Sequence, residues 1–222
     1  MVNNNTIYKS KKIIMQDPIS LKVVFIGNTN VGKTSISQRI KHMEGFTKEV
    51  EQKDYMPSVY PTVGGAFFRK KELYKEHEVI LDVWDTAGQE RFHAIAPMYF
   101  RGAHIAVFVF DIEDMYSFHG IKEWKRIFDL HGDSHAISIL VANKIDKTSS
   151  ILHKIDPNFN VKNGFLNPDM LCTSAKTGEG IISLYTYILD NVLHFNNKLS
   201  NTNVDVTKEI EPNCGPYTCI LF

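Results

Sequence analysis

The sequence predicts an α/β fold, with a six-stranded, mostly parallel sheet that has one antiparallel edge hairpin and helices on both faces. Three observations predict it. From Leu21 onward, short β-like apolar runs alternate with segments of helical periodicity, the pattern of a sheet covered on both sides. A glycine-containing loop directly follows the first run. Two further runs, 63–73 and 77–84, are separated by a short polar turn, which predicts that they pair antiparallel.

The individual elements follow from local patterns along the chain. Apolar β-like runs predict strands near 21–27, 63–73, 77–84, 104–111, 137–142 and 169–173. Helical periodicity predicts helices at about 32–44, 115–131 and 179–196. In the last helix the apolar residues recur at helical spacing and should lie in the core: Ile181, Ile182, Leu184, Tyr185, Ile188, Val192 and Leu193.

Residues 27–34, directly after the first apolar run, read Gly-Asn-Thr-Asn-Val-Gly-Lys-Thr and fit the phosphate-binding pattern G-x-x-x-x-G-K-[ST]. Gly27 and Gly32 let the backbone turn so that successive N–H groups and a helix N-terminus point at phosphates. Lys33 would neutralise the outer phosphates, and the hydroxyl of Thr34 would bind Mg²⁺. The pattern leaves the base of the nucleotide undecided.

The segment Asn143-Lys144-Ile145-Asp146 follows the β-like run 137–141. It therefore lies at the carboxyl end of a predicted parallel strand, where doubly wound sheets bind ligands. The carboxylate of Asp146 can accept hydrogen bonds from the N1–H and the 2-amino group of guanine. Adenine lacks this pair of donors and would leave the charge unpaired. The segment predicts a guanine nucleotide and argues against the alternative of a P-loop ATPase or kinase.

Two more segments complete an ordered set: 85–89 reads Asp-Thr-Ala-Gly-Gln and 173–176 reads Thr-Ser-Ala-Lys. With the two motifs above they resemble the guanine-nucleotide boxes of the Ras superfamily. The resemblance implies a P-loop NTPase (small G-protein) fold and a monomeric GTP hydrolase that uses Mg²⁺ with GTP or GDP. Tyr55 matches the aromatic residue that packs against guanine. The implied nucleotide-binding residues are Asn30, Val31, Gly32, Lys33, Thr34, Ser35, Tyr55, Thr62, Gly88, Asn143, Lys144, Asp146, Ser174, Ala175 and Lys176.

The same resemblance implies how the metal and the attacking water are held. Asp85 ends an apolar run, where its carboxylate can hold a water of the Mg²⁺ shell. Thr62 matches the switch threonine whose hydroxyl reaches Mg²⁺ only while the γ-phosphate is present, so the expected metal-binding residues are Thr34, Thr62 and Asp85. The N–H of Gly88 would approach the γ-phosphate. Gln89 is the expected catalytic residue, because its family counterpart orients the attacking water.

Residues away from the nucleotide resemble the Rab branch of the superfamily in the segments 63–67, 84–92 and 96–103. The last of these is most similar to the endosomal group of that branch. Phe67, Trp84 and Tyr99 match the aromatic triad on which Rab effectors dock. The resemblance implies a protein that cycles between a GTP-bound active and a GDP-bound inactive state and regulates vesicle or endosomal membrane traffic. The implied partners are an exchange factor, a GTPase-activating protein, effectors, a prenylation escort and a GDP-dissociation inhibitor.

The two ends of the chain differ from its middle. Residues 1–20 are polar and are expected to form a flexible leader, 21–196 the GTPase domain, and 197–222 a disordered tail. The last four residues, Cys219-Ile220-Leu221-Phe222, fit the C-a-a-X pattern and predict geranylgeranylation of Cys219. One lipid chain usually needs a second signal, which Cys214 could supply by palmitoylation or a second prenyl group.

Composition limits the kinds of partner. The chain of 222 residues carries 25 Lys+Arg and 25 Asp+Glu, so it lacks the basic footprint of a nucleic-acid-binding protein. The first twenty residues lack the apolar core of a signal peptide, and no apolar run in the sequence approaches the roughly 18 residues of a membrane-spanning helix. We therefore expect a cytosolic body that attaches peripherally, through lipid, to the cytoplasmic face of endomembranes, with the endosome as the expected compartment.

Two segments depart in length or pattern from the family. The stretch between Lys33 and Thr62 is longer than in Ras-like proteins, and we place the extra residues at about 44–54. The family normally has a helix in the region that corresponds to 147–168. Here proline, glycine and asparagine interrupt that region, which predicts a long irregular loop.

Two residues of the phosphate loop also depart from the Ras pattern. Thr29 and Asn30 stand where Ras itself has glycines, and a β-branched residue at 29 could crowd an arginine finger. This leaves open an alternative function, a nucleotide-dependent membrane scaffold that binds GTP with little hydrolysis. The presence of Gln89 argues against that alternative.

Overall fold

The computed structural model describes residues 17–43, 62, 64–88, 94–147, 155, 159–165 and 170–201. Its strands are β1 (Ile19–Ile26), β2 (Gly65–Tyr74), β3 (His77–Thr86), β4 (Ile105–Asp111), β5 (Ile137–Asn143) and β6 (Leu171–Thr173). Its helices are α1 (Lys33–His42), α2 (Ala96–Phe100), α3 (Met115–His131), α4 (Phe159–Lys162) and α5 (Ile181–Asn201).

The six strands form one sheet in the order β2-β3-β1-β4-β5-β6. Every neighbouring pair is parallel except β2 and β3, which form an antiparallel hairpin at one edge. The hairpin turn contains Lys75 and Glu76, both with positive φ angles (46° and 69°). These pairings confirm the predicted sheet and its antiparallel edge hairpin.

Strand β1 lies inside the sheet and is buried on both faces. Because side chains alternate along a strand, Val23 and Phe25 lie in one hydrophobic core and Val24 and Ile26 in the other. Helices α1 and α5 close the first core, and α2, α3 and α4 close the second. Helices therefore cover both faces of the sheet, as the alternation of elements along the chain predicts.

Two short helices are not predicted by the sequence pattern. One is α2; the other is α4, a single turn within the region 147–168 that we expected to be irregular. The reason is aromatic packing. The ring of Phe159 lies 4.6 Å from that of Phe118 on α3, and the ring of Phe165 lies 5.3 Å from that of Phe108 on β4. Burial of these rings stabilises the turn, so the expectation of an irregular loop is wrong here.

The ends of the regular structure also differ from the expected boundaries. Strand β1 begins within the predicted leader, because Ile19 already pairs with Val79 on β3. Helix α5 continues to Asn201, past the predicted domain end at 196. Residues 1–16 and 202–222 lie outside the described residues, so the division into leader, domain and tail stays a prediction. In the part of the chain that the structure describes, no helix has both the length and the apolar character needed to cross a membrane.

The strand order fixes where a ligand can bind. In the sheet, β3 lies on one side of β1 and β4 on the other, so the chain crosses from one side of β1 to the other between β3 and β4. In doubly wound sheets, ligands bind outside the carboxyl ends of the strands at the point where the order reverses. The loops that follow β1, β3, β5 and β6 all leave the sheet at the carboxyl ends of the strands. These loops carry the four predicted nucleotide motifs.

Candidate functional site

The loop between β1 and α1 needs both of its glycines. Gly27 has a φ angle of 144°, and a Cβ atom there would lie 2.2 Å from the carbonyl oxygen of Val109 on β4. Gly32 has a φ angle of 97°, and its Cβ would lie 2.2 Å from the side-chain amide nitrogen of Asn143. The loop is therefore packed directly against β4 and β5, which only residues without a side chain allow.

The lysine of this loop is buried and turned back over it. Lys33 is 5% exposed, and its Nζ donates hydrogen bonds to the carbonyl oxygens of Gly27 (2.9 Å) and Asn28 (2.8 Å). Burial lowers its pKa from the ordinary value to about 8, although the nearby charge of Asp85 acts in the opposite direction. A bound anion would restore the charged form, so the position suits a phosphate.

Three oxygen-bearing side chains meet beside this lysine. The hydroxyl of Thr34 donates to Oδ2 of Asp85 at 2.6 Å and lies 2.8 Å from the hydroxyl of Thr62. Asp85 is 2% exposed, and its Oδ1 atom has no hydrogen-bond partner among the described residues. The pKa of this carboxyl is raised, mainly because burial disfavours the charged form. The hydrogen bond from Thr34 and the charge of Lys33 act in the opposite direction.

These residues fit a magnesium ion. Mg²⁺ binds oxygen ligands, takes few of them from the protein and keeps several waters. One buried carboxylate with an unpartnered oxygen and two adjacent hydroxyls supply such a set. The structure brings together all three residues that the sequence analysis assigns to the metal: Thr34, Thr62 and Asp85.

Gly88 lies against the phosphate loop. A Cβ atom at this position would lie 2.4 Å from Nζ of Lys33 and 2.4 Å from the carbonyl oxygen of Asn28. The preceding residue, Ala87, donates its N–H to the carbonyl of Gly64 at 2.9 Å, which joins the ends of β2 and β3. The backbone of Gly88 therefore lies next to the phosphate loop and its lysine, and the approach of its N–H to a γ-phosphate stays a prediction. Gln89, the expected catalytic residue, lies outside the described residues.

The predicted base-binding carboxylate is held by the loop after β6. Oδ1 of Asp146 accepts a hydrogen bond of 2.6 Å from the hydroxyl of Ser174, which is buried. Nζ of Lys176 lies 3.7 Å from Oδ2 of the same carboxylate. The hydrogen bond from Ser174 lowers the pKa of Asp146 and so keeps the carboxylate charged. A charged acceptor in a fixed orientation is what recognition of two base donors requires.

Asn143 joins the two halves of the site. Its side chain is 1% exposed; Nδ2 donates to the carbonyl of Val31 in the phosphate loop at 2.8 Å. Its Oδ1 accepts from the hydroxyl of Thr173 (3.1 Å), the last residue of β6, and from the N–H of Ala175 (3.2 Å) in the loop that follows. The residue predicted to bind nucleotide therefore acts here on the loops that surround it.

Two residues that hold the loops of the candidate site were not predicted from the sequence. Arg39 on α1 is buried and donates to the carbonyls of Ala175 (2.8 Å) and Lys176 (2.6 Å), so it anchors the loop after β6. The signal for it is a charged residue on the apolar face of a helix, one turn after Ile36. Asp111 at the end of β4 forms an ion pair of 2.7 Å with Nζ of Lys144. No pattern in the sequence links that pair.

The remaining predicted nucleotide-binding residues lie on the same loops. Asn30 is exposed at the tip of the phosphate loop with a φ angle of 64°, Val31 is buried beneath it, and Ser35 is half-buried in the first turn of α1. Ala175 is buried in the loop after β6. Outside the described residues lie Tyr55, the inserted segment 44–54, Cys214 and Cys219, and their roles stay predictions.

The three aromatic residues predicted to bind effectors form one contiguous cluster. The ring of Trp84 on β3 lies 5.0 Å from that of Phe67 on β2 and 5.8 Å from that of Tyr99 on α2. Phe67 is 50% exposed, and the other two are half-buried. The cluster lies on one surface at the β2–β3 edge, with Nζ of Lys22 5.1 Å from the ring of Trp84. An exposed aromatic on a rigid sheet is a suitable interface anchor.

A sheet of this order, a G-x-x-x-x-G-K-T loop after β1 and an N-K-x-D loop after β5 define a P-loop nucleotide-binding domain of the small G-protein class. A family model described as the Ras family matches residues 22–194. The chain therefore belongs to the Ras family, which confirms the resemblance found in the sequence.

Among curated proteins, the chain is similar to Rab proteins. It is 38% identical to mouse Ras-related protein Rab-22A over 128 residues, which is 58% of this chain and 61% of the relative. It is 39% identical to rat Ras-related protein Rab-31 over 131 residues, 57% of this chain and 60% of the relative. It is 31% identical to Arabidopsis thaliana Ras-related protein RABF2b over 169 residues, 75% and 78% respectively.

The chain thus spans about three fifths of the length of the mouse and rat relatives. The likeness to the Rab branch of the superfamily, which the sequence analysis bases on segments outside the nucleotide motifs, is confirmed by these relatives.

Replacing Asn143 with Ala should destabilise the protein more than an ordinary loss of one hydrogen bond. The carbonyl of Val31 and the N–H of Ala175 lose their buried partner together, so the free energy of unfolding should fall by about 2–4 kcal/mol. Denaturant unfolding measures this. The matched control is Asn163→Ala, which loses a single bond to the carbonyl of Phe159 and should cost about 1 kcal/mol. Equal losses in the two variants would contradict the role of Asn143.

Proposed function

We propose that this protein is a Rab-type GTPase that binds Mg²⁺ with GTP, hydrolyses the GTP to GDP, and recruits effectors to a membrane in its GTP-bound state. The observation that carries the proposal is the meeting of three groups at one edge of the sheet. They are the buried ammonium of Lys33, the oxygen cluster around Asp85, and the carboxylate of Asp146 oriented by Ser174. A guanine nucleotide offers a phosphate, a metal ion and two base donors to these groups in turn.

On the phosphate side, Lys33 lies within the loop and would exchange its two carbonyl partners for phosphate oxygens. The exchange is favourable, because an ammonium binds a negatively charged phosphate oxygen more strongly than a neutral carbonyl oxygen. Mg²⁺ bound with the nucleotide would neutralise phosphate charge. The residues that would hold it are Thr34 and Thr62, through their hydroxyls, and Asp85.

The contact between Thr62 and Thr34 supports a nucleotide-dependent switch. Thr62 belongs to the segment between α1 and β2, whereas Thr34 belongs to α1, and their hydroxyls lie 2.8 Å apart. A γ-phosphate with its metal would hold Thr62 at this position. Loss of the γ-phosphate removes that restraint. The segment that contains Thr62 would therefore be ordered while GTP is bound and become disordered after each hydrolysis event.

For the chemical step, we assign to Gln89 the orientation of the attacking water. It directly follows Gly88, whose backbone lies against the ammonium of Lys33. The expected reaction is attack of that water on the γ-phosphate, with the charge that develops there stabilised by Lys33 and the backbone N–H groups of the phosphate loop.

For its cellular role, we propose that the protein regulates vesicle traffic at endosomal membranes. The aromatic cluster of Phe67, Trp84 and Tyr99 supports effector docking, since it combines an exposed ring with two supporting rings. Prenylation of Cys219, with Cys214 as a second lipid site, would supply the anchor. An exchange factor, a GTPase-activating protein, a prenylation escort and a GDP-dissociation inhibitor complete the proposed cycle.

Asp146→Asn should change the base specificity. The amide cannot accept from both donors of guanine, so GTP affinity should fall by about 100-fold or more and XTP should become the better ligand. Competition binding with GTP, XTP and ATP measures this. The control Asp114→Asn makes the same chemical change at the N-cap of α3 and should leave the preference for GTP intact. Undiminished GTP preference in Asp146→Asn would refute the assignment, and tighter binding of ATP than of GTP to the wild type would support an ATPase.

Gln89→Leu should suppress hydrolysis that is stimulated by an activating protein by a factor on the order of 100, because one group positioned on the attacking water is lost. Single-turnover phosphate release from GTP measures the rate. The control Gln38→Leu, on α1, should hydrolyse GTP at the wild-type rate. If wild type and Gln89→Leu release phosphate at the same rate with and without an activating protein, the membrane-scaffold function is favoured instead.

Cys219→Ser should leave the protein unattached to membranes even when loaded with GTP, whereas Cys214→Ser should only shorten its membrane residence, because a single lipid chain binds reversibly. Sedimentation of cell membranes measures the attached fraction, and intact-mass analysis of protein from its native cells identifies the lipid. An unmodified Cys219, together with a Ser variant that still sediments with membranes, would exclude this anchor.

A further inference from the structure

One residue of the phosphate loop is held by a helix that carries none of the nucleotide motifs. Nε1 of Trp124 on α3 donates a hydrogen bond of 2.8 Å to Oδ1 of Asn28. The indole is 2% exposed and lies within the aromatic core beneath α3. The Asn28 side chain reaches it because Gly120, one turn earlier on α3, has no side chain: a Cβ atom there would lie 2.7 Å from Oδ1 and 2.9 Å from Nδ2 of Asn28.

The backbone of the same asparagine contacts the centre of the candidate site. Its carbonyl oxygen accepts the hydrogen bond of 2.8 Å from Nζ of Lys33. A Cβ atom at Gly88 would lie 2.4 Å from that carbonyl. Asn28 therefore contacts α3 through its side chain, and the phosphate lysine and the backbone of Gly88 through its main chain.

This arrangement gives the side-chain bond a consequence at the phosphate site. The loop contains glycines at 27 and 32, whose backbones adopt many conformations, so local restraints decide where its carbonyls point. Of the two carbonyls that hold Lys33, that of Gly27 directly follows β1. That of Asn28 is one residue further from the strand, and the bond from Trp124 anchors the residue that carries it.

We propose that Trp124 is a positioning residue for the nucleotide site: its indole N–H holds Asn28, and through the Asn28 carbonyl it sets the position of the Lys33 ammonium and of Gly88. The inference rests on the proposed function, since the quantity it governs is how long the protein retains a guanine nucleotide. A residue that served only as core would contribute apolar area to α3, and Phe in its place would retain most of that area.

The hydrogen bond itself can be observed directly. The chain has two tryptophans, so an NMR spectrum of ¹⁵N-labelled protein contains two indole N–H signals, and Trp124→Phe identifies one of them. In the GDP-bound protein the indole N–H proton of Trp124 should exchange slowly with solvent. Exchange should accelerate in Asn28→Leu, which has no acceptor, and stay slow in Asn28→Asp, which keeps one. Equal exchange in the wild type and Asn28→Leu would overturn the proposal.

The consequence is measured as the dissociation rate of fluorescent GDP in the presence of Mg²⁺. Trp124→Phe and Asn28→Leu should each release GDP about five- to tenfold faster than the wild type, since a restraint on Lys33 is lost. The double variant with Trp124→Phe and Asn28→Leu should release GDP no faster than Asn28→Leu alone, because the two changes break the same hydrogen bond.

The control for a purely structural effect is Phe128→Leu, which alters a buried ring on the same helix that packs against the rings of Phe100 and Phe108. It should lower the free energy of unfolding and leave GDP dissociation within about twofold of the wild type. Equal GDP release from the wild type, Trp124→Phe and Asn28→Leu, or equal acceleration by Phe128→Leu, would overturn the inference. Failure of the wild type to retain GDP at all would instead contradict the proposed function on which it rests.

Discussion

The arrangement of the site depends on the hydrogen bonds made by the side-chain amide of Asn143. It is buried at the end of β5 and uses both ends of its amide, one on the phosphate loop and one on the loop after β6. The two halves of the site come from segments far apart in the chain: the Asn143 and Val31 partners are separated by 112 positions. This link therefore ties the phosphate loop directly to the loop after β6.

Geometry around this link is reinforced by residues that contact no predicted ligand. Arg39 supports the loop after β6 from α1, and Asp111 supports Lys144 from β4. Lys144 has a φ angle of 70°, a conformation that costs free energy for a residue with a side chain. The ion pair with Asp111 and the packing of β4 against β5 hold it in that conformation. The candidate site is thus a set of loops fixed by buried polar contacts between elements.

The burial of two ionisable groups makes the candidate site suited to a ligand of high charge. Lys33 and Asp85 are both buried. Burial lowers the pKa of Lys33 and raises that of Asp85, so in each case it favours the neutral form. Burying a charge without a full set of partners costs free energy, which a nucleotide with its metal ion would recover by supplying the missing anion and cation. The unpartnered Oδ1 of Asp85 marks where that set is incomplete among the described residues.

The sequence by itself determined the fold class and the positions of the four nucleotide motifs, because both depend on local rules. Alternating apolar runs specify strands and helices, and the positive φ angles of Gly27 and Gly32 demand glycine wherever the loop occurs. Tertiary structure alone decided the contacts of Arg39 with Ala175, Asp111 with Lys144 and Trp124 with Asn28. The one-turn helix α4 belongs to the same group, since its buried phenylalanines outweigh the local breakers. These features join residues that are distant along the chain, and no periodicity or spacing in the sequence encodes which distant side chain meets which loop.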